Sequence, residues 1–231
     1  MSIKTNLEYI NKTIADAAIR SGRKPEDIML LAVTKTHEAP EMNEVIDCGV
    51  ENIGENKVQE ITRKYDDVKP AKWHLIGHLQ TNKVKYIIDK VEMIHSVDSL
   101  HLAQEIDKRA KQHGLVMKIL VQVNVAEEES KFGITSQETD KLINDILENC
   151  PNVKICGIMC IAPFVDDEEE ARPYFREAKQ IYDSYLGDTR EGMDFKYLSM
   201  GMSNDYEVAI EEGSNLVRVG TAIFGARDYS L

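Results

Sequence analysis

Short apolar runs recur along the chain with helix-period stretches between them, and this alternation limits the fold more than any other feature. Residues 28–33, 52–54, 73–76, 93–97, 116–125, 153–161, 197–200 and 216–219 read as strands. Residues 40–48, 55–65, 83–90, 99–113, 135–148, 166–186 and 205–212 read as helices, with Gly49, Gly114, Pro151 and Gly213 as stops. A first helix, about residues 2–22, comes before them: Ile3, Leu7, Ile10, Ile14, Ala17 and Ala18 recur at three- and four-residue steps. Gly22 can end it, and Pro25 prevents simple continuation. Eight strands alternating with helices imply a parallel sheet with helical crossovers. The count selects a closed (β/α)8 TIM barrel over an open doubly wound sheet. No Pro/Ser/Gly-rich linker interrupts it, so residues 1–231 read as one barrel domain with an extra N-terminal helix.

Composition narrows the partners. Forty acidic residues against 28 basic ones give a formal charge of −12. Such a chain does not, as a whole, attract nucleic acid or an anionic membrane surface, so an anionic ligand needs a local site that works against the global field. The polar N-terminus has no apolar core of a signal peptide. The longest nearly uncharged run, residues 155–165, is far short of the ~20 residues of a membrane span. Cys48, Cys150, Cys156 and Cys160 show no CxxC spacing and read as buried free thiols in a reducing cytoplasm.

In a barrel of this kind the active site lies at the C-terminal ends of the strands. Lys35 follows Leu30, Leu31, Ala32 and Val33 with only Thr34 between. A lysine there is partly desolvated, which lowers its pKa and favours the neutral amine that attacks an aldehyde. A strand-end lysine that simply reaches water is the plainer reading. Phosphate sites in such barrels often use the loops after strands seven and eight. Here these are Gly201-Met202-Ser203-Asn204 and Gly220-Thr221-Ala222, with Ser203 or Asn204 as the expected N-cap of the helix that contains Glu207. Either loop alone is ordinary turn chemistry; the pair at these two strands is more specific. Arg218 alternates with Val217 and Val219, so if the valines face the helices it faces the barrel interior. A salt bridge to a barrel carboxylate is its plainer role.

Six segments also carry a family resemblance: LLAVTKT (30–36), NIGENKVQE (52–60), WHLIGHLQTNK (73–83), KFGI (131–134), LSMGMSNDYEVAIEEGSNLVRVG (198–220) and IFGAR (223–227). In these the chain resembles, over essentially its whole length, the pyridoxal 5′-phosphate (PLP) homeostasis proteins, the YggS/PROSC family, related to the N-terminal barrel of alanine racemase. The resemblance implies that Lys35 carries PLP as an internal aldimine. It implies a phosphate held around Ser199, Gly201, Met202, Ser203, Gly220 and Thr221, Arg218 facing the pyridine nitrogen, and Asn56 near the ring. Its functional implication is PLP buffering and delivery to apo-enzymes, with little or no catalysis. Arginine can only donate, so the nitrogen stays unprotonated and the ring is a weaker electron sink.

Other residues have less specific readings. His74 and His78 share a strand face at their spacing and could pair on a metal, but no third ligand is evident, and no metal is expected. His78 can instead line the pocket. Cys156 and Cys160 are expected on one face of strand six as small apolar residues. Residues 166–170 read as a solvated acidic helix start, and residues 127–129 have no assigned role. The resemblance gives Lys131 a phosphate or a second PLP as its ligand, while His37 stands where some members have a second lysine. Two other functions fit the fold: an amino-acid racemase, which needs a second domain carrying an opposing base and is not expected here, and a Schiff-base aldolase without PLP.

Overall fold

The computed structural model describes residues 2–128 and 131–225. Eight parallel strands close into a barrel in chain order. They are β1 (Met29–Val33), β2 (Asn52–Glu55), β3 (Lys72–Leu75), β4 (Met93–Val97), β5 (Met117–Val123), β6 (Val153–Cys160), β7 (Met193–Ser199) and β8 (Leu216–Val219). Pairing of β1 with both β2 and β8 completes the ring. The helices are α1 (Ile3–Arg20), α2 (Ala39–Asp47), α3 (Val58–Lys64), α4 (Leu100–Gln112), α5 (Thr139–Asn149), α6 (Arg172–Ser184), α7 (Tyr206–Glu211) and α8 (Thr221–Phe224). The (β/α)8 barrel read from the alternation is the fold found.

Alternation along each strand separates two environments. On β8, Val217 and Val219 join the core shared with the helices, while Leu216 packs with Leu31, Val33 and Ile76 in a separate cluster. That second cluster lies inside the barrel, and Arg218 points the same way as Leu216. Helix α1 adds a further layer outside. The Ser2 hydroxyl accepts the Thr5 N–H at its start, and Leu7, Ile10, Ile14, Ala17 and Ala18 are buried along one face. The helix packs on α7 and α8, with the Thr13 hydroxyl bonded to that of Tyr206 and the Asn6 amide donating to the Ile223 carbonyl.

Several boundaries differ from the sequence reading. The connection after β3, expected as a helix over 83–90, is a 3-10 helix over Thr81–Tyr86 followed by tight turns. A 3-10 turn advances about 2.0 Å per residue against about 1.5 Å for an α-helix, so this short connection spans the strand with fewer residues. Helix α6 begins at Arg172 rather than 166, because Pro173 occupies its first turn, where the missing N–H costs nothing. A 3-10 turn over Glu168–Ala171 comes before it.

The expectation that Cys156 and Cys160 share a face is overturned. The pairing of β6 with β7 shifts register between Ile155 and Gly157. Cys156 and Met159 therefore face inward, while Ile158 and Cys160 join the outer core. Gly157 makes this slip feasible: its φ is +149°, and a Cβ there would lie 1.8 Å from the Tyr197 carbonyl oxygen.

Candidate functional site

A cavity of about 1060 Å³ opens at the C-terminal ends of the strands. Lys35, Asn56, Met202, Ser203, Arg218, Gly220 and Thr221 all line it. Of the expected site residues, Ser199 and Gly201 are not in its lining.

Lys35 is half-buried and held from both sides. Before it, Thr34 is fully buried; its hydroxyl donates to the Glu55 carboxylate at 2.9 Å, and its N–H donates to the Gly54 carbonyl at 2.9 Å. After it, Thr36 has a φ of +72°, a left-handed turn, and the His37 N–H returns to the Thr34 carbonyl at 3.1 Å. Glu55 itself ends in a buried ion pair with Lys64 at 3.0 Å, reaching outward from β2 to α3. Burial raises the Glu55 pKa, against the opposing pull of Lys64 and Thr34.

Arg218 is 4% exposed and has no carboxylate at ion-pair distance among the described residues. Its Nη1 donates to the Ser199 hydroxyl at 2.6 Å and its Nη2 to the Cys160 carbonyl at 2.9 Å. The expected barrel salt bridge is absent, and neutral acceptors replace it. Burial lowers the Arg218 pKa from the usual arginine value, and Asp205 opposes this by attraction. Ser199 is fully buried, and its oxygen accepts the guanidinium.

The two small-residue loops are tied to each other. The Ser203 hydroxyl accepts the N–H groups of Gly220 and Ala222, at 3.2 and 3.3 Å. Neither Ser203 nor Asn204 caps α7; Asp205 takes that position and accepts the Met202 N–H at 2.6 Å. Gly201 lies behind the cavity wall, where its φ of +91° and close contact with α7 leave no room for a side chain: a Cβ would meet Tyr206 Cα at 2.9 Å. Its carbonyl accepts the Arg218 N–H at 3.0 Å, so it supports the strand that carries the arginine.

The proposed histidine pair separates. His74 points into the barrel and bonds His95, whereas His78 lies beyond the end of β3 and stacks on Phe132 at 3.9 Å between centroids. Lys131 lines the cavity with its amine on the Glu128 carboxylate and the Ala162 carbonyl, each at 3.0 Å. His37 stacks on Phe224 and pairs with Glu41. Sequence reasoning missed Asp205, Gln122 and Phe164 in the lining. Gln122 had a legible signal, as a polar residue inside an apolar strand; Phe164 stands on a loop, with no periodicity to mark it.

The family model described as alanine racemase, N-terminal domain, matches residues 6–228. The pyridoxal phosphate homeostasis protein of Aquifex aeolicus is 42% identical over 231 residues, covering 99% of this chain and all of that relative. The homologue of the same name in Escherichia coli K12 is 39% identical, covering 99% of this chain and 98% of its own length. The structure of PipY of Synechococcus elongatus PCC7942 with PLP bound superposes with a TM-score of 0.77 at 32% identity, covering 92% of this chain and all of that one. Near-full-length similarity of this degree, on a barrel with a lysine, an arginine and two small-residue loops around one cavity, means that the chain belongs to the pyridoxal phosphate homeostasis protein family.

Proposed function

We propose that this chain binds PLP in the cavity, holds it covalently through Lys35, and keeps it available for transfer to apo-enzymes. The observation that carries this reading is that Lys35, Arg218 and both small-residue loops open onto the same cavity. When bound, PLP offers an aldehyde, a phosphate and a pyridine nitrogen. The lining fits each. Lys35 is the amine, on a backbone held by Thr34 and the turn at Thr36. Two N–H groups, of Gly220 and Ala222, already converge on one oxygen, that of Ser203, and that arrangement suits a phosphate oxygen too. Ser203, Gly220 and Thr221 form the phosphate cup, and Met202 contributes wall rather than backbone, since Asp205 holds its N–H. Val33 and Ile76 give apolar surface, and Asn56 supplies an amide. Arg218 can only donate, so it holds a facing pyridine nitrogen without a proton. Ser199 and Gly201 act one layer back, through Arg218.

A reducing compartment is consistent with this reading. The cysteines are free thiols; Cys48, expected to be buried, is exposed at the C-terminal end of α2, whereas burial pushes the thiols of Cys150 and Cys156 up to about 11 and that of Cys160 to about 12. No helix among the described residues is long and apolar enough to cross a membrane. We assign the protein to the cytoplasm, with PLP and apo-enzymes as partners and neither nucleic acid nor membrane among them.

Borohydride reduction of the PLP-loaded chain, followed by peptide mass analysis, tests the linkage. The expected result is PLP mass on the peptide containing Lys35. Label on Lys131 with Lys35 unmodified would overturn the assignment.

A further inference from the structure

The interior of the barrel holds a polar chain that runs to Arg218 through Asn52, His74 and His95, which the binding reading does not use. It starts at the opposite end from the cavity. The Oδ1 of Asn52, at the start of β2, faces His74 Nε2 at 3.2 Å. The Nδ1 of His74 meets His95 Nε2 at 2.9 Å, and the Nδ1 of His95 meets the Ser199 hydroxyl at 3.5 Å, the longest link. Ser199 in turn receives Arg218. Strands β2, β3, β4, β7 and β8 thus contribute one side chain each.

Only one pattern of hydrogens satisfies the chain. Arg218 has no acceptor atom, so the Ser199 oxygen receives its N–H and the serine hydrogen must go elsewhere. The free acceptor in reach is His95 Nδ1. His95 then carries its hydrogen on Nε2 and donates to His74 Nδ1, and His74 carries its own on Nε2 and donates to Asn52 Oδ1. Both rings must be neutral for this. Burial moves them that way: His74 is pushed down to about 3 and His95 well below the usual histidine value.

We propose that His95, held by His74 and Asn52, is a positioning residue that takes the Ser199 hydrogen and so keeps the serine lone pair turned to Arg218, fixing the direction of the guanidinium in the cavity. An arginine this buried has little contact with solvent to orient it. Without a carboxylate partner, its geometry depends on the Ser199 oxygen and the Cys160 carbonyl. A Ser199 hydroxyl with no acceptor for its hydrogen could turn that hydrogen toward the guanidinium. A barrel interior is ordinarily filled by layers of branched apolar side chains, so a continuous polar file from base to mouth is a departure from the usual filling.

The proposal rests on the PLP reading for its consequence but not for its geometry, and two measurements separate them. Long-range proton–nitrogen NMR on the histidine-labelled wild-type chain without PLP reads the tautomers. The expected result is Nε2–H on both His74 and His95, with both rings neutral at pH 7; a hydrogen on His95 Nδ1, or a charged ring, overturns the chain of bonds whatever the protein binds. PLP titration of variants reads the consequence. His95→Leu is expected to weaken PLP about tenfold, the scale of one hydrogen bond to a charged group. His95→Gln, which keeps an acceptor and a donor, should recover most of that loss. In a Ser199→Ala background, His95→Leu should change PLP affinity by less than about twofold, since the two act in series. Equal losses in both backgrounds, or no loss from His95→Leu alone, would overturn the positioning role. If His95→Leu does not fold, the tautomers and His95→Gln against wild type still decide it: Gln weakening PLP as much as Ser199→Ala does counts against the proposal.

Discussion

Replacing Lys64 by Met isolates the support beneath the Schiff-base lysine candidate. In the native protein the Glu55 and Lys64 side chains are 0% and 1% exposed and meet at 3.0 Å. The same Glu55 oxygen accepts the Thr34 hydroxyl, while its other oxygen is buried with no partner among the described residues. Lys64 also touches Glu60 at 2.9 Å, but that carboxylate is partly exposed and adds little. Removing the lysine leaves a buried carboxylate without its counter-charge, which costs about 3–5 kcal/mol. Glu55 already lies above its ordinary pKa because burial outweighs its partners, and loss of Lys64 raises it further. A carboxyl raised in the native state holds a proton that the unfolded chain has released, so its contribution to stability is fully present below the unfolded pKa and is lost as pH rises through the folded one. The deficit of the variant is therefore largest near about pH 8 and shrinks toward about pH 5. Urea denaturation at both pH values measures it, with the m-value as a check that compactness is unchanged. Adding Glu55→Gln to Lys64→Met should restore most of the loss at pH 8, since a neutral amide needs no counter-charge. A loss under about 1 kcal/mol at pH 8, or a larger deficit at the lower pH, would refute the reasoning.

Three further outcomes are expected. Pyridoxal without its phosphate should bind roughly 10²-fold or more weakly than PLP, because each charge-assisted bond lost is worth about 1.5–3 kcal/mol; equal affinities by titration would remove the cup at Ser203, Gly220 and Thr221. Gly157→Ala should lower thermal stability by more than about 2 kcal/mol, since a Cβ there would sit 1.8 Å from the Tyr197 carbonyl oxygen at a φ of +149°; an unchanged melting temperature would show that the β6 slip does not need glycine. Conversion of L-alanine to D-alanine should be negligible, because an arginine in the proposed place of Arg218 makes a weaker electron sink and no tyrosine among the described residues lines the cavity to act as a second base; a kcat within the ordinary range of ~1–10³ s⁻¹ would count against the homeostasis reading.

Strand count, closure and the inward direction of Arg218 were legible because buried parallel strands leave apolar runs and a lone arginine between valines breaks the pattern only on one face. The loops after β7 and β8 were legible as cavity lining for a different reason, as small residues at the C-terminal ends of their strands. The β6 slip was not, since the run from Val153 to Cys160 is apolar on both faces and shows no phase; only Gly157 inside it was a cue. The His74–His95 contact joins the neighbouring strands β3 and β4 across 21 residues of chain, and nothing in local spacing distinguishes it from a pocket or a metal pair. The Ser199–Arg218 contact was hidden for a related reason. The neighbouring Met200 faces the outer core, which sets Ser199 inward, but whether it meets a phosphate or a guanidinium depends on how deep in the barrel it sits.

The arginine's choice of partners bears on how so acidic a chain holds an anion. Among the described residues, Arg20, Arg63, Arg109, Arg172, Arg176 and Arg190 each face a carboxylate at ion-pair distance. Arg23 bonds backbone carbonyls outside the barrel. Lys131, in the cavity wall, is matched by Glu128. Arg218 alone among these arginines lines the cavity, and it is bonded to a hydroxyl and a carbonyl. Hydrogen bonds to neutral acceptors fix its direction without cancelling its charge, whereas a carboxylate would do both. The full positive charge therefore remains in a low-dielectric interior, where attraction is strongest. With a formal charge of −12 over the whole molecule and Asp166, Asp167, Glu168 and Asp205 in the same cavity wall, that charge works against the local and the global field that oppose an anionic cofactor. An Arg218 paired with a carboxylate would be easier to bury, but it would leave the cavity less attractive to a phosphate ester.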